Sequence, residues 1–404
     1  MKSQNSQPSR DQSERYGLAT VTFWLAFGAF SIGASEFAAM SLLPYYTKSF
    51  GVPEEVAGHA ISTYALGVVV GAPVIAIFAS RLPRKHVLIA LMGIFALGNG
   101  LTALAGSSLT MDAPRFLTGL PHGGYFGIAM LFAADIAGKG HRTRAVSHIM
   151  MGLAVANIVG VPAVNSIGQI FGWRAGFALI AVLSCLTMLM IWRTAPYKGP
   201  HPSARPLSEL GALRNRDVLL ALGMGTIGFG GMFAVYSYFS AAYLATTHAP
   251  EWGVSVTLVV FGIGITAGNY LAGLVASGRV LGAAAAMQAV LAFASAFYAV
   301  SVGNVWLMGA AMFFSGFGGG LVVPLQTRLM DVAGDAQTLA AASIQAAFNL
   351  ANAIGPWIAG LALASGFGWN SAGWVGVALS AGGLLICALM MASDRRRAPA
   401  LGKT

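Results

Sequence analysis

About twelve apolar stretches, each roughly 20 residues or longer, occupy most of this 404-residue chain. A helix needs about 20 apolar residues to cross the hydrocarbon core of a bilayer. Every backbone polar group in lipid must find a partner within the protein, so an open sheet edge is excluded and each stretch is predicted to be helical. The stretches lie at 17–45, 54–80, 86–106, 110–136, 145–170, 175–194, 217–245, 253–277, 280–301, 303–329, 338–365 and 370–392.

The composition excludes a soluble globular protein. Hydrophobic residues make up 56% of the chain and charged residues only 9%, whereas a soluble domain carries roughly 25% charged residues. We therefore predict an all-α membrane protein whose first partner is the lipid bilayer. Cys185 and Cys387 lie within predicted spans and form no metal or disulfide pattern, so we expect neither a metal nor another cofactor.

The net charge of +10 is distributed as a topology signal. Of the 23 Lys and Arg residues, 20 lie in the two tails or in alternate loops that would share one side of the membrane. Positive loops stay on the cytoplasmic side during insertion, so we predict a multi-pass protein of the cell (inner) membrane with both termini in the cytoplasm. The charge needs no nucleic-acid partner.

One polar loop with four prolines divides the stretches six and six. We predict a tail at 1–15, a six-helix bundle at 16–194, a linker at 195–216, a second bundle at 217–392 and a tail at 393–404. Two such halves are typical of transporters, with the site between them near the midplane. The other loops are too short for an extramembrane catalytic domain, so we expect no enzyme.

Glu36 is the one acidic residue deep inside a predicted span. An ionised carboxylate at this depth costs at least ~2.5–3.5 kcal/mol, and such residues usually mark ion or proton pathways. In the fourth stretch Arg115, Gly119 and His122 have the spacing of one helix face. At about 1.5 Å of rise per residue, Glu36 and Arg115 lie at similar depth, so we expect them to pair or to face a shared water-filled cavity.

Two interpretations of Glu36 and Arg115 remain open at this point. The carboxylate could exchange protons beside the cation as access to the cavity alternates, or the two charges could form a permanent ion pair that orients two helices. His122 is a candidate proton relay because histidine titrates near neutral pH. It could equally be a neutral packing residue among glycines.

Seven residues are candidates for gate or motif positions, namely Gly119 of the fourth stretch and six others. The six are Arg81, Arg84, Lys85, Gly152, Gly160 and Pro162. The three cations occupy the turn after the second stretch, where they could brace facing helix ends and hold a gate shut, or simply retain the turn in the cytoplasm. The other three lie in the fifth stretch, where proline bends a helix and glycine permits close packing, which indicates a hinge or a tight contact.

Polar and aromatic side chains of three stretches are candidates for substrate binding, and those of the seventh and eleventh stretches have helical spacing. They are Tyr64 in the second stretch, Tyr236, Ser240 and Tyr243 in the seventh, and Gln345, Asn349 and Asn352 in the eleventh. Uncharged hydrogen-bonding groups beside aromatic rings suit a moderately polar neutral ligand. The alternative is that each holds two helices together, at ~0.6 kcal/mol per hydrogen bond.

Several motifs carry a family resemblance. They are Ser35-Glu36-Phe37, residues 61–68 with Gly71-Ala72-Pro73, Arg115 with Gly119, the group Gly152, Gly160 and Pro162, residues 171–174, and Asn349, Asn352 and Gly355. With these the chain resembles a major facilitator superfamily transporter, and more narrowly the twelve-span drug:proton antiporters of the arabinose-type, chloramphenicol and purine-nucleoside efflux branch. The resemblance implies twelve transmembrane helices in two pseudo-symmetric halves, with Glu36 in the first-span acidic motif and Arg115 assisting proton transfer.

Three positions depart from the family's pattern. Ser80 stands where the loop motif usually has aspartate, Pro83 where it has glycine, and Val164 in a usual glycine position of the fifth-span motif. The charge relay attributed to that aspartate is therefore in doubt for this chain.

The sequence thus predicts a monomeric secondary transporter that exports a small organic compound in exchange for protons, with the proton gradient as its energy source. A drug, a sugar or a nucleoside would be a suitable substrate. One alternative is a proton-independent facilitator or importer in which Glu36 and Arg115 form a structural ion pair. A more remote alternative is a membrane receptor that transports nothing.

Overall fold

The computed structural model describes residues 17–79, 82–138, 142–199, 215–276, 279–332 and 337–401. Within these ranges the chain is helical and contains no strand. Residues 1–16, 200–214 and 402–404 lie outside the described residues, and with them the predicted tail at 1–15 and most of the predicted linker at 195–216. The predicted tail at 393–404 differs from the structure, because the last helix continues to Leu401. We number the long helical segments α1 to α12 in chain order.

The first six segments are α1 Leu18–Ser41, α2 His59–Ala79, α3 Arg84–Ala103, α4 Ser108–Ala137, α5 Arg142–Phe171 and α6 Trp173–Thr194. The other six are α7 Arg216–Thr246, α8 Trp252–Ala276, α9 Val280–Ser301, α10 Val305–Val332, α11 Gln337–Ala364 and α12 Ser371–Leu401. Segments α5 and α7 each contain a π-helical turn, at Ala156–Gly160 and Met224–Gly228, and α10 contains the short 3₁₀ turn Gly319–Leu321.

The predicted all-α membrane fold is confirmed, and twelve long helical segments are present among the described residues. Among the described residues, 11 helices are long and apolar enough to cross a membrane. The remaining long helix is α4, which has 30 residues but carries Arg115, His122 and two internal prolines. These residues make α4 less hydrophobic than the other long helices. Arg115 and His122 belong to the site described below.

Two predicted boundaries differ from the observed ones. The first stretch, predicted at 17–45, ends as α1 at Ser41, and the short helix Leu43–Phe50 follows with a proline in its first turn. Proline supplies no backbone N–H, so it suits the start of a helix and not its interior. The second stretch is likewise divided into Glu54–Ala57 and α2.

The two halves pack in the same pattern. In the first half the most extensive contacts are α2 with α4, α3 with α6, α3 with α4, and α1 with α5. In the second half they are α8 with α10, α9 with α12, α9 with α10, and α7 with α11. Each helix of a first-half pair corresponds to the helix six numbers later in the second half, so that α2 with α4 corresponds to α8 with α10. This repetition is the pseudo-symmetry that the sequence predicted.

Glycines set the closest helix contact, between α2 and α4. A Cβ atom on Gly67 would collide with the carbonyl oxygen of Phe116, and one on Gly119 with the carbonyl oxygen of Tyr64. Gly71 lies equally close to the backbone of Leu120. Small residues therefore bring the two backbones into contact, as expected where lipid offers no hydrophobic drive for association.

We call the end of the bundle where α1 begins and α12 ends the terminal end, and the opposite end the far end. At the far end α5 of the first half meets α8 of the second. Ser166 Oγ lies 3.0 Å from Ser255 Oγ, and Gln169 Nε2 donates to the backbone oxygen of Glu251 at 2.9 Å. The Tyr238 hydroxyl of α7 reaches Gly58 beside α2. These contacts close the interior at the far end.

At the terminal end each described polar contact joins two residues of the same half. In the first half Arg84 pairs with Asp135, and Lys198 Nζ donates to the backbone oxygen of Asp135 at 3.0 Å. In the second half Arg328 pairs with Asp394 at 2.6 Å. These ion pairs therefore brace each bundle separately and do not join one half to the other.

The α2–α4 contact gives a stability prediction. Gly119→Ala would force a methyl group into the Tyr64 carbonyl, and overpacking of this kind typically costs about 1–3 kcal/mol. Gly127→Ala on the same helix meets open space and should be neutral. Thermal unfolding of both purified variants in detergent measures the difference. Equal unfolding temperatures would contradict this account of the contact.

Candidate functional site

Glu36 lies in the middle of the protein and connects the two halves. Its side chain is buried in α1, and its carboxylate accepts a hydrogen bond from Asn352 Nδ2 of α11 at 3.0 Å. Asn352 is fully buried, and its Oδ1 has no hydrogen-bond partner among the described residues. The predicted proton site and a predicted substrate-binding residue are thus in direct contact across the interface.

Arg115 organises the interior of the first half. Its guanidinium is fully buried, and Nη1 donates to Ser35 Oγ at 3.3 Å while Nε donates to the Ala60 carbonyl at 3.4 Å. Ser35 in turn donates to Asn99 Oδ1 at 2.7 Å. One cation on α4 therefore holds α1, α2 and α3 through a continuous set of hydrogen bonds.

Two aromatic rings complete the environment of Arg115. The guanidinium carbon lies 4.3 Å from the ring centroid of Tyr64 and 5.5 Å from that of Phe177. A desolvated cation over an aromatic face gains about 2 kcal/mol. Nη2 of Arg115 has no hydrogen-bond partner among the described residues, so the site retains one free donor.

Glu36 and Arg115, both within the described part of the chain, form no direct ion pair in this conformation. The carboxylate bonds to Asn352 and the guanidinium to Ser35 and the Ala60 carbonyl. The two charges still act on each other electrostatically. The expected direct pairing is therefore absent here because each charge has found a different buried partner.

His122 is joined to Tyr64. The Tyr64 hydroxyl lies 2.8 Å from His122 Nδ1, and the imidazole packs against the Phe126 ring at 5.3 Å between centroids. Both His122 and Tyr64 are buried. Tyr64, predicted as a substrate-binding residue, thus contacts two of the predicted proton-coupling residues.

The predicted substrate-binding residues of the second half separate into two sets. Tyr236 lies at the interface, where its ring packs against Phe37 of α1 at 5.2 Å and Phe261 of α8 at 4.5 Å. Tyr243 instead lies against Gly253 of its own half. The Ser240 hydroxyl is buried with no hydrogen-bond partner among the described residues.

Asn349 and Gln345 interact with each other along α11. Asn349 Nδ2 donates to the backbone oxygen of Gln345 at 3.0 Å, within one helical turn. Asn352, three residues later, is the member of this face that reaches across to the first half.

The predicted gate cations lie at the terminal end of the first half. Arg84 pairs with Asp135 at the end of α4, and Lys85 Nζ donates to the Ala195 carbonyl after α6 at 2.6 Å. In this conformation they brace helix ends of their own half. Arg81 and Ser80 lie outside the described residues.

The fifth-span motif makes a close contact with α1. A Cβ atom on Gly152 would collide with the Ala26 carbonyl, and one on Gly160 would meet the Phe30 ring. Pro162 lies two residues after the last residue of the π-helical turn of α5. Both predicted alternatives therefore have a structural counterpart: a tight helix contact and a backbone irregularity beside the proline.

Asn99, Phe177 and the Ala60 carbonyl belong to the site but were not predicted from the sequence. Asn99 carried a signal, because it is the one amide side chain in the third stretch. Phe177 resembles any other apolar residue of a span. A backbone carbonyl has no sequence signal at all.

Comparisons with known proteins place these features in a family. The sequence profile described as Major Facilitator Superfamily matches residues 25–338. The inner membrane transport protein YdhP of Escherichia coli (strain K12) is 37% identical over 376 residues, with 91% of this chain and 95% of YdhP covered. A chloramphenicol resistance protein of Streptomyces lividans is 29% identical over 381 residues, with 92% and 94% covered.

A solved crystal structure of a mutant of the nucleoside transporter NupG superposes with a TM-score of 0.76. It covers 93% of this chain and 99% of NupG at 12% sequence identity, so it supports the fold alone. The resemblance to the superfamily and the twelve-helix fold predicted from the sequence are confirmed.

The Asn352–Glu36 contact leads to a prediction about conformation. A hydrogen bond to a charged group contributes about 1.5–3 kcal/mol, so Asn352→Ala should lower the closed-to-open ratio at the far end by roughly tenfold or more. Oxidative cross-linking between cysteines placed at Ser166 and Ser255, with Cys185 and Cys387 replaced by serine, reports that ratio.

Asn349→Ala is the matched control, because Asn349 bonds within its own helix. Its cross-linking should equal that of the parent. Equal cross-linking in both variants would mean that the Asn352–Glu36 bond does not hold the far end closed.

Proposed function

This chain belongs to the Major Facilitator Superfamily, and from that membership and the geometry of Glu36 we propose that it exports a small organic compound in exchange for protons. It is a multi-pass membrane transporter and not an enzyme. We further propose that it works as a monomer, without a cofactor, and that the proton gradient drives export by alternating access.

The observation that carries the proposal is the bond from Asn352 to Glu36 across the two halves. A hydrogen bond to a carboxylate is roughly twice as strong as one to a neutral acid. Loss of the proton from Glu36 would therefore strengthen the contact that holds the far end closed. Protonation would weaken it, which gives the two conformations the different proton affinities that a population shift requires.

Arg115 supplies a second partner for the same carboxylate. In the conformation described here Glu36 bonds to Asn352, while Arg115 keeps a free donor at Nη2. When the halves separate at the far end, Glu36 loses Asn352 and its charge is left to Arg115. A carboxylate that changes partners in this way fits proton exchange better than a permanent ion pair does.

The proposed orientation of the protein in the membrane is based on the distribution of its Lys and Arg residues between the loops. Their bias predicts that the terminal end faces the cytoplasm, so the far end would face outward and the conformation described here would be closed to the outside. In this arrangement the proton leaves Glu36 toward the cytoplasm. Each proton that moves inward contributes about 2.3 kcal/mol per 100 mV of membrane potential, in addition to the pH gradient.

We propose a neutral or singly charged substrate with an apolar ring. Phe37, Tyr236 and Phe261 form an aromatic cluster where the halves meet. Asn352 Oδ1 and Ser240 Oγ are buried acceptors with no partner among the described residues. A dication would need a second deep carboxylate. A phenicol, a sugar or a nucleoside meets these requirements, and one relative is named for chloramphenicol resistance.

The proposal predicts that Glu36→Gln abolishes proton-driven export while the protein still folds, because glutamine is close in size to the neutral acid and cannot titrate. Accumulation of compounds from a phenicol, sugar and nucleoside panel, measured in pump-deficient cells with and without an uncoupler, tests this. Glu54→Gln, at a half-exposed acid of the far end, is the control and should export normally.

Full uncoupler-sensitive export by the Glu36→Gln variant would move the proton site elsewhere. Export by the parent that ignores the uncoupler would instead favour a facilitator.

The proposed orientation has a separate test at two glycines that meet open space. Gly106 lies at the far end between α3 and α4, and Gly199 follows α6 at the terminal end. In a chain with Cys185 and Cys387 replaced by serine, we expect a cysteine at Gly106 to react with an impermeant maleimide in intact cells. One at Gly199 should react only after the cells are opened, and the reverse pattern would invert the topology.

A further inference from the structure

A pocket lies between the two halves at the far end, where the start of α2 meets the end of α11. Its volume is about 80 Å³. The first half contributes Glu55, His59 and Ser62 to its lining, and the second half contributes Tyr238 and Trp357. We call it the α2–α11 pocket. Its lining includes no residue of the site around Glu36.

Two glycines leave the space at the bottom of this pocket. A Cβ atom on Gly58 would lie 2.9 Å from the Tyr238 hydroxyl, and one on Gly360 would lie 2.6 Å from it. Gly58 belongs to the first half and Gly360 to the second. The buried hydroxyl of Tyr238 therefore lies where the two halves meet, and a side chain at either glycine would collide with it.

The polar groups of the pocket are left with hydrogen-bond acceptors. The Tyr238 hydroxyl donates to the Pro356 carbonyl at 3.2 Å. The Ser62 hydroxyl donates to the Ala353 carbonyl at 3.3 Å. A hydroxyl has one hydrogen, so each oxygen can now only accept, and the ionised carboxylate of Glu55 also only accepts. Among the described residues that line the pocket there is no lysine or arginine. A ligand must therefore bring donors, and a positive charge would complement Glu55.

The mouth of the pocket is apolar. Trp357 is 54% exposed, Leu361 51% and Val56 38%. Exposed apolar side chains on spanning helices face lipid, and tryptophan is enriched at the level of the lipid head groups. His59, also exposed, can accept a hydrogen bond at one ring nitrogen when it is neutral. The pocket therefore opens toward the membrane leaflet at the far end.

The volume limits what can enter. Pockets that hold a drug-sized molecule measure roughly 300–1,000 Å³, so a cavity of about 80 Å³ does not suit a second molecule of substrate. It suits a small head group whose remaining part lies outside along the apolar mouth. A primary ammonium group carries a positive charge and three N–H donors. A quaternary ammonium group carries the charge without a donor.

We propose that the α2–α11 pocket binds the protonated amine of an ethanolamine phospholipid from the leaflet at the far end. The ammonium group would bond to Glu55 and to the hydroxyl oxygens of Tyr238 and Ser62. Because both halves line the pocket, it exists only while the far end is closed. A ligand that binds one conformation shifts the population toward it, so this lipid stabilises the conformation closed at the far end. The inference goes beyond the proposed function and applies whatever energy source drives transport.

Lipid retention tests the binding site directly. Purified protein is taken from nanodiscs with equal amounts of phosphatidylethanolamine and phosphatidylcholine, and the lipids it keeps are identified by native mass spectrometry. We expect the parent to prefer phosphatidylethanolamine by about tenfold, the scale of a hydrogen bond to a charged group. Glu55→Gln keeps the shape of the side chain without its charge and should lose this preference.

Glu54→Gln is the matched control. It makes the same change of charge at the neighbouring residue, which does not line the pocket, so the preference should remain. Gel filtration establishes that each variant folds. A second measurement uses only the parent protein: the preference should fall stepwise as N-methyl groups replace the N–H donors of phosphatidylethanolamine.

The effect on conformation is measured by the cross-link between cysteines at Ser166 and Ser255, with Cys185 and Cys387 replaced by serine. Replacing phosphatidylcholine with phosphatidylethanolamine should raise the closed-to-open ratio in the parent and in Glu54→Gln. In Glu55→Gln this rise should be lost.

Equal retention of the two lipids by the parent would overturn the inference, as would an undiminished preference in Glu55→Gln. A closed-to-open ratio that rises in phosphatidylcholine alone when sodium chloride replaces choline chloride would assign the pocket to an inorganic cation instead. These measurements do not depend on proton coupling, and the proposed function fails separately if Glu36→Gln retains proton-driven export.

Discussion

The burial of two opposite charges in a medium without water is the constraint on which this structure depends. An unpaired charge in an apolar interior is very costly, so each must be satisfied by protein groups. Arg115 draws hydrogen bonds or ring contacts from α1, α2 and α6, and through Ser35 it reaches α3. Glu36 draws its partner from α11 of the opposite half. The requirement to satisfy one cation therefore assembles the first half, and the requirement to satisfy one anion attaches it to the second.

This division also explains why the two halves, alike in packing, differ in chemistry. Their helix contacts repeat after six helices, yet Arg115, Glu36 and His122 all belong to the first half. At the interface the second half contributes aromatic rings and neutral polar groups, such as Tyr236 and Asn352. In the proposed function the first half would hold the proton and the second half an uncharged ligand, and Asn352 of the second half contacts the proposed proton site directly.

Much of the fold could be predicted from the sequence because few kinds of backbone structure can span a lipid bilayer. The length of each apolar stretch, the loop that divides them six and six, and the single deep carboxylate are all readable without coordinates. The partners of that carboxylate were harder to predict. Helical spacing placed Asn349 and Asn352 on one face, but only tertiary packing decides that Asn352 crosses the interface while Asn349 bonds to its own turn. Likewise the contact of the Tyr64 hydroxyl with His122 depends on how α2 packs against α4 and could not be predicted from the sequence.

The far-end seam between α5 and α8 is built from serine hydroxyls, the side-chain amides of Asn165 and Gln169, and a backbone carbonyl. Mobile ions screen interactions between exposed charges but act only weakly on neutral dipoles in contact. The strength of this closure should consequently be nearly the same in dilute and in concentrated salt. The ratio of the two conformations of the transporter should therefore change little when the salt concentration outside the cell changes.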